Sequence, residues 1–136
     1  MFTTSIVVAD ASHARFFVHE RTASADGVGD QIHERPHLLN PGREGSDGHT
    51  HEHDEKFARL IAADFAQHVS GARRLIICAS PRMLGSLREA GIGHAREGVE
   101  IHELAHDLVK LTPKDLCVQL TAYGVMPASH PTVTAS

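Results

Sequence analysis

The 136 residues predict a single α/β domain built on one mixed sheet, on three observations. Two short apolar runs, 5–9 and 14–20, are separated only by turn residues, the pattern of adjacent strands. Residues 74–79 form a run with no polar interruption after Arg74, the composition of a strand buried on both faces. Three further segments repeat apolar residues at three- and four-residue spacing, as amphipathic helices do.

The elements follow in order. Ile6, Val7 and Val8 lie in a run too short for a helix, which Asp10-Ala11-Ser12 ends. Phe16, Phe17 and Val18 belong to a returning strand, and Gly27-Val28-Gly29-Asp30 marks a second turn before a strand at 31–39. Three sequential antiparallel strands are the simple outcome. Residues 40–53 hold Pro41, Gly42, Gly45 and Gly48 among polar residues without periodicity, which predicts a mobile surface loop of more than usual length.

From Asp54 onward Phe57, Leu60, Ile61, Phe65 and Val69 form an apolar stripe that Gly71 stops. The 74–79 strand runs into Ser80-Pro81, an N-cap residue followed by a first-turn proline, and Met83, Leu84 and Leu87 face inward until Gly91. A weaker strand spans 98–104. Thr112-Pro113-Lys114-Asp115 opens the last helix, with Thr112 as cap, Asp115 approximating a capping box, and Leu116, Leu120 and Tyr123 as its stripe. Residues 126–136 read as a flexible C-terminal tail, which leaves the domain at 1–125. The order βββαβαβα joins an antiparallel meander to parallel crossover units, as a ribonuclease H-like fold does.

Composition narrows the function classes. With no Trp, one Tyr and five Phe, aromatic platforms for stacking single-stranded bases are disfavoured. The net charge is −4 and the 13 Lys and Arg are dispersed, so generic duplex binding gains no support. Twelve histidines let the net charge change sign at mildly acidic pH. Cys78 and Cys117 lack the close spacing of a zinc knuckle or redox pair and read as reduced, buried thiols. Residues 1–6 lack the basic, apolar start of a signal peptide, and no window approaches 18 apolar residues. A soluble, cytoplasmic protein without membrane contact is expected.

The stretch from Gly48 to Arg59 is where chemistry would sit. His49, His51 and His53 alternate with Glu52 and Asp54, a donor set that suits zinc or nickel. Alternating positions of an extended chain point to opposite sides, so a shared ion requires the loop to curl or His33 or His37 to join. Adventitious metal binding is the plainer reading, and no resident cofactor is expected. A two-magnesium nuclease would use Asp10 at the end of the first strand with Asp54 or Glu55, but the fourth strand ends in Cys78-Ala79-Ser80 and supplies no acid. Asp10 otherwise serves as a turn residue, and Asp54 and Glu55 complement a helix dipole. Cys78 with a histidine would make a nucleophilic pair, against the alternative of a structural thiol. Arg73, Arg74, Arg82, Arg88 and Arg96 make either a modest RNA-phosphate patch or a solvated rim.

Three stretches resemble the bacterial family of host attachment proteins, which is itself described as related to the central domain of archaeal and eukaryotic release factors. They are Val7-Val8-Ala9-Asp10-Ala11-Ser12-His13-Ala14-Arg15-Phe16-Phe17, then His51-Glu52-His53-Asp54-Glu55-Lys56-Phe57-Ala58-Arg59, and the pair of segments 75–87 and 106–116. In a release factor a Gly-Gly-Gln loop precedes the helix that Phe57-Ala58-Arg59-Leu60 resembles. Counting back by the same offset places Thr50, His51 and Glu52 at that motif. Both glycines are replaced, and an ionised carboxylate cannot donate as the amide does.

The resemblance implies a non-catalytic factor associated with the ribosome or tRNA. Its alternatives are a hydrolase acting through His51, Glu52 or a His-bound metal, and an adhesion-related factor at the host surface. Oligomeric state is not legible.

Overall fold

A computed structural model describes residues 2–24, 27–40, 51–69, 71–93, 98–127 and 132–134. The elements are β1 (Phe2–Ala9), β2 (His13–Ser24), β3 (Gly27–Leu39), α1 (His51–Gln67), β4 (Arg74–Ala79), α2 (Pro81–Glu89), β5 (Glu100–Leu104), α3 (Pro113–Ala122) and β6 (Thr132–Thr134). They form a mixed α/β structure around one six-stranded sheet of order β5-β4-β1-β2-β3-β6. The β1/β2 and β2/β3 pairs are antiparallel, and the β1/β4, β4/β5 and β3/β6 pairs are parallel.

Strand alternation divides the core into two layers. Val7, Ala9, Phe16, Leu75, Ile77 and Ala79 face a cluster completed by Phe57, Ile61 and Phe65 of α1 and by Met83, Leu84 and Leu87 of α2. Ile6, Val8, Phe17, Ile32, Ile76 and Cys78 face the opposite cluster, which Leu116, Cys117 and Leu120 of α3 complete. The two central strands, β1 and β4, are therefore covered on both sides, which is why Ile6–Ala9 and Leu75–Ala79 are continuously apolar. Each fully buried Ile or Val contributes about 1.5–3 kcal/mol relative to exposure.

Several boundaries differ from the sequence reading. β1 begins at Phe2, β2 runs to Ser24, and Gly27 to Asp30 are strand rather than turn. Arg21 pairs with Asp30 and Ser24 with Gly27, so the ladder runs to the last described residue of β2 and the first of β3. The opposite charges of Arg21 and Asp30 suit a directly paired position, and they extend the ladder beyond its apolar part. Pro36 lies where the β2/β3 register shifts between Ala14 and Phe16, past the β3 residues 31–33 that β6 covers. A bulge at an edge is where a strand tolerates the missing N–H of proline.

The expected tail also needs correction. Met126 is 4% exposed and packs in the α3-side cluster, and Thr132–Thr134 add the parallel strand β6. Two β-branched threonines around Val133 suit a pleated edge, a signal too short to register by periodicity.

Helix termini agree in part. Thr112 Oγ1 accepts from the Asp115 N–H at 3.1 Å, the predicted cap. Ser80 occupies the N-cap position of α2 but its side chain makes no capping hydrogen bond. Tyr123, expected on the inward stripe of α3, is 40% exposed and stacks on His106 with ring centroids 4.4 Å apart. Leu60, expected on the stripe of α1, is 50% exposed. At about 100° per residue it falls roughly 60° from Phe57 on the side away from Ala58, Ile61 and Phe65, which are buried.

Candidate functional site

The carboxyl end of β1 is organised by Asp10. Its Oδ1 accepts from the backbone N–H of Ser12 and of His13, each at 2.7 Å, and its own N–H donates to the His13 carbonyl at 2.9 Å. This is an Asx-type turn, in which a short carboxylate satisfies the backbone of a reversal. It closes the β1/β2 hairpin and leaves His13 exposed beside the carboxylate, with Nδ1 3.6 Å from Asp10 Oδ1.

Asn40 locks the end of β3 to this turn. Its backbone N–H donates to the Ser12 carbonyl at 2.9 Å and its side-chain Nδ2 donates to the Ala11 carbonyl at 2.7 Å. Asn40 is 5% exposed, so these bonds form away from bulk water, where leaving them unmade would be costly. Asn40 is thus a fixed residue immediately before segment 41–50. His51, immediately after that segment, is the first residue of α1, in which Asp54 (1% exposed) and Phe57 are buried.

Only the two ends of the loop predicted at 40–53 fall among the described residues. Asn40 is buried, 51–53 are helical, and residues 41–50, including His49 and Thr50, lie outside the described residues. His51 and Glu52, the candidate catalytic pair, occupy the first turn of α1. Acidic residues at a helix start complement its dipole, which favours extending the helix backward through Glu52. For the metal reading, positions 51 and 53 of a helix are separated by about 200°, so they do not share a face. Among the described residues no group of three His, Cys, Asp or Glu side chains is arranged to hold an ion.

The four described arginines of the predicted patch are divided between the two ends of β4 and the helix that follows it. Arg73 and Arg74 lie at the start of β4 and Arg82 follows its far end, about 20 Å away along a six-residue strand. Arg73 and Arg82 are exposed. Arg74 Nε donates to Glu100 at 3.0 Å, with its guanidinium 4.7 Å from the centroid of the Phe2 ring, and Arg88 Nε donates to Glu103 at 2.7 Å. Arg74's hydrogen bond, helped by His102, holds the Glu100 carboxyl below its ordinary range. Arg96 lies outside the described residues.

Both cysteines are free and buried, as expected. Burial pushes the Cys78 thiol up to about 12, and burial together with the field of Asp30 pushes Cys117 up to about 11. A thiol so placed is almost wholly protonated at neutral pH, and the thiolate is the nucleophile. Ellman's reagent at mildly alkaline pH is expected to leave both thiols unmodified in the folded protein and to titrate two per chain once urea is added. Prompt reaction of one thiol without urea would contradict this placement.

Sequence reasoning missed Arg15 and His19. Arg15 joins the sheet to the segment before α3, and His19 is buried beside Asp30. The available signal was their alternation with Phe17 in β2, which puts two ionisable residues on a core face and requires buried partners.

A mixed sheet with helices on both faces and an ordered turn bonded to the end of β3 defines the class: a small α/β domain with its distinctive features at the carboxyl end of β1. The chain belongs to the family described as protein required for attachment to host cells, whose model matches residues 5–120. No curated protein matches it.

Solved structures from Aquifex aeolicus are similar in part. The type II variant of the Ppx/GppA phosphatase matches with a TM-score of 0.47 and 8% identity, over 89% of this chain and 42% of that one. A Ppx/GppA family member gives 0.41 and 9%, over 84% and 36% respectively. A PPX-GPPA enzyme gives 0.45 and 10%, over 94% and 42%. This chain spans less than half of each, and the phosphatase activity named for the first belongs to that protein. Among the described residues no helix is long and apolar enough to cross a membrane.

Proposed function

We propose that the protein is a non-catalytic binding domain that offers segment 41–50 and the adjoining Asp10–His13 turn to a macromolecular partner in the cytoplasm, the partner being the ribosome or tRNA. The observation that carries this reading is the pair of Asn40 hydrogen bonds to Ala11 and Ser12. A recognition segment works best when its ends are fixed on rigid elements, because less ordering entropy is lost on binding.

Two further observations support it. The sheet places β5, β4, β1, β2 and β3 side by side with β2 antiparallel to both neighbours, and α1 follows β3, an order that supports reading the domain as ribonuclease H-like and release-factor-like. Asp10 Oδ1 accepts two backbone N–H groups, a structural use that accounts for this carboxylate without a metal.

The partner is tested by sedimenting the protein with ribosomes and, separately, by its retention on immobilised tRNA, at low and high salt. Association is expected at low salt, weakening as salt rises, and falling at least several-fold when residues 42–49 are replaced by a Gly/Ser linker of equal length. No association with either at low salt would overturn the ribosome or tRNA reading. The attachment role in the family's description would then direct the search to host-surface partners.

A further inference from the structure

Three side-chain atoms on the α3-covered face of the sheet are buried without a hydrogen-bond partner among the described residues: Thr4 Oγ1, His19 Nε2 and Asp30 Oδ1. Register brings them together. Thr4 pairs directly with His19 across β1/β2, while Asp30 pairs with Arg21, two residues along from His19 and on its face. His19 Nε2 lies 3.9 Å from Asp30 Oδ1, too far for a hydrogen bond, with the two side chains 3% and 11% exposed. Native proteins leave few buried polar atoms unpaired, and each such atom has a cause in strain, a functional role or a bound water or ion.

The charged surroundings are specific. On β2, Arg21 Nε is 3.7 Å from the same Asp30 oxygen, and Glu20 adjoins His19 in sequence. On β4, Arg74 pairs with Thr4 in the ladder and bonds Glu100 of β5, whose carboxylate also has His102 Nε2 at 3.5 Å. From α3, Cys117 sits within the field of Asp30.

We propose that Thr4, His19 and Asp30 form an acid-sensitive latch, in which a neutral His19 keeps the β1–β2–β3 corner closed and proton uptake by His19 loosens it. Burial opposes the charged imidazole most strongly and lowers its proton affinity. The carboxylates of Asp30 and Glu20 pull the other way, and the guanidinium groups of Arg21 and Arg74 add to the effect of burial. Hydrating a charged His19 requires the corner to open. His19 pairs with Ile32 of β3, whose outer flank carries β6 at 31–33, so opening there would loosen both ladders.

The sign follows from linkage. The unfolded chain binds the His19 proton near the ordinary value of 6.5, and the folded chain binds it more weakly. The contribution of His19 to stability is therefore complete above that value, declines as pH falls through it, and levels off below the lowered folded value.

The test follows the imidazole of His19 by NMR between about pH 7.5 and about pH 4.5, with hydrogen exchange of β2 and β3 amides corrected for intrinsic rate. His19 is expected to titrate below 6.5, and Asp30→Asn to lower it further. Exchange near His19 is expected to rise several-fold at about pH 5 in the wild type and not in His19→Gln. Titration of His19 at or above 6.5 would overturn the latch. So would an upward shift in Asp30→Asn, or acid-enhanced exchange that persists in His19→Gln. If His19→Gln does not fold, the wild-type titration and Asp30→Asn decide the matter.

Discussion

Replacing Arg15 with alanine is expected to cost about 2–4 kcal/mol of stability, by loss of a part-buried ion pair and of hydrogen bonds made to it. The guanidinium uses both edges. Nε and Nη2 fork onto Glu34 at 2.9 and 2.7 Å, while Nη1 donates to the carbonyls of Val109 and Leu111 at 2.7 and 2.6 Å. Its face lies 5.0 Å from the centroid of the Phe17 ring. Arg15 and Glu34 are 19% and 30% exposed, so solvent screens the pair less than it would a surface bridge.

These bonds hold the chain before α3 against the sheet, and α3 carries Leu116, Cys117 and Leu120 into the second core layer. Alanine would leave Glu34 and two carbonyls without their donor. Arg15→Lys keeps the charge without the planar fork and is expected to fall between wild type and Arg15→Ala. Urea unfolding at neutral pH is the measurement, and a loss below about 0.5 kcal/mol for Arg15→Ala would show that the tether carries no stability.

Phe57→Ala is expected to cost about 3–5 kcal/mol, the range for truncating a buried aromatic ring. Phe57 is 1% exposed and packs α1 onto the sheet in the cluster that contains Val7, Ile77 and Leu84. Leu60→Ala, three residues on, is expected to change stability by no more than about 0.5 kcal/mol, because Leu60 is half exposed. Urea midpoints of the two variants separate the observed helix face from the wider stripe suggested by sequence. Equal losses would mean that Leu60 is buried after all. Since α1 fixes one end of segment 41–50, Phe57→Ala should also weaken any partner binding that depends on that segment.

The central strands were legible because burial on both faces demands apolar residues at every position, as in Ile76-Ile77-Cys78. The far end of the β2/β3 hairpin was not. Arg21, Asp30 and Gly27 belong to a ladder held by backbone pairing and opposite charges, and their composition is also that of a turn. α1 began earlier than its apolar stripe because the first turn of a helix needs acids and backbone geometry rather than core contacts.

At the candidate site, the structural use of Asp10 was readable from its place in Asp10-Ala11-Ser12. The bonds of Asn40 to Ala11 and Ser12 span about 30 residues of sequence, and a single chain offers no local signal for such a contact. Arg15 posed the same difficulty, since its carbonyl partners lie more than 90 residues away.

Peptidyl-tRNA release is the reaction that most directly separates binding from catalysis here. Ribosomes carrying labelled peptidyl-tRNA are incubated with the wild type, Glu52→Gln and His51→Ala, each with and without zinc. Release at the background rate in all six reactions is the predicted result, with all three proteins still sedimenting with ribosomes at low salt. Release by the wild type that Glu52→Gln or His51→Ala abolishes, or that appears only with zinc, would contradict a non-catalytic binding domain.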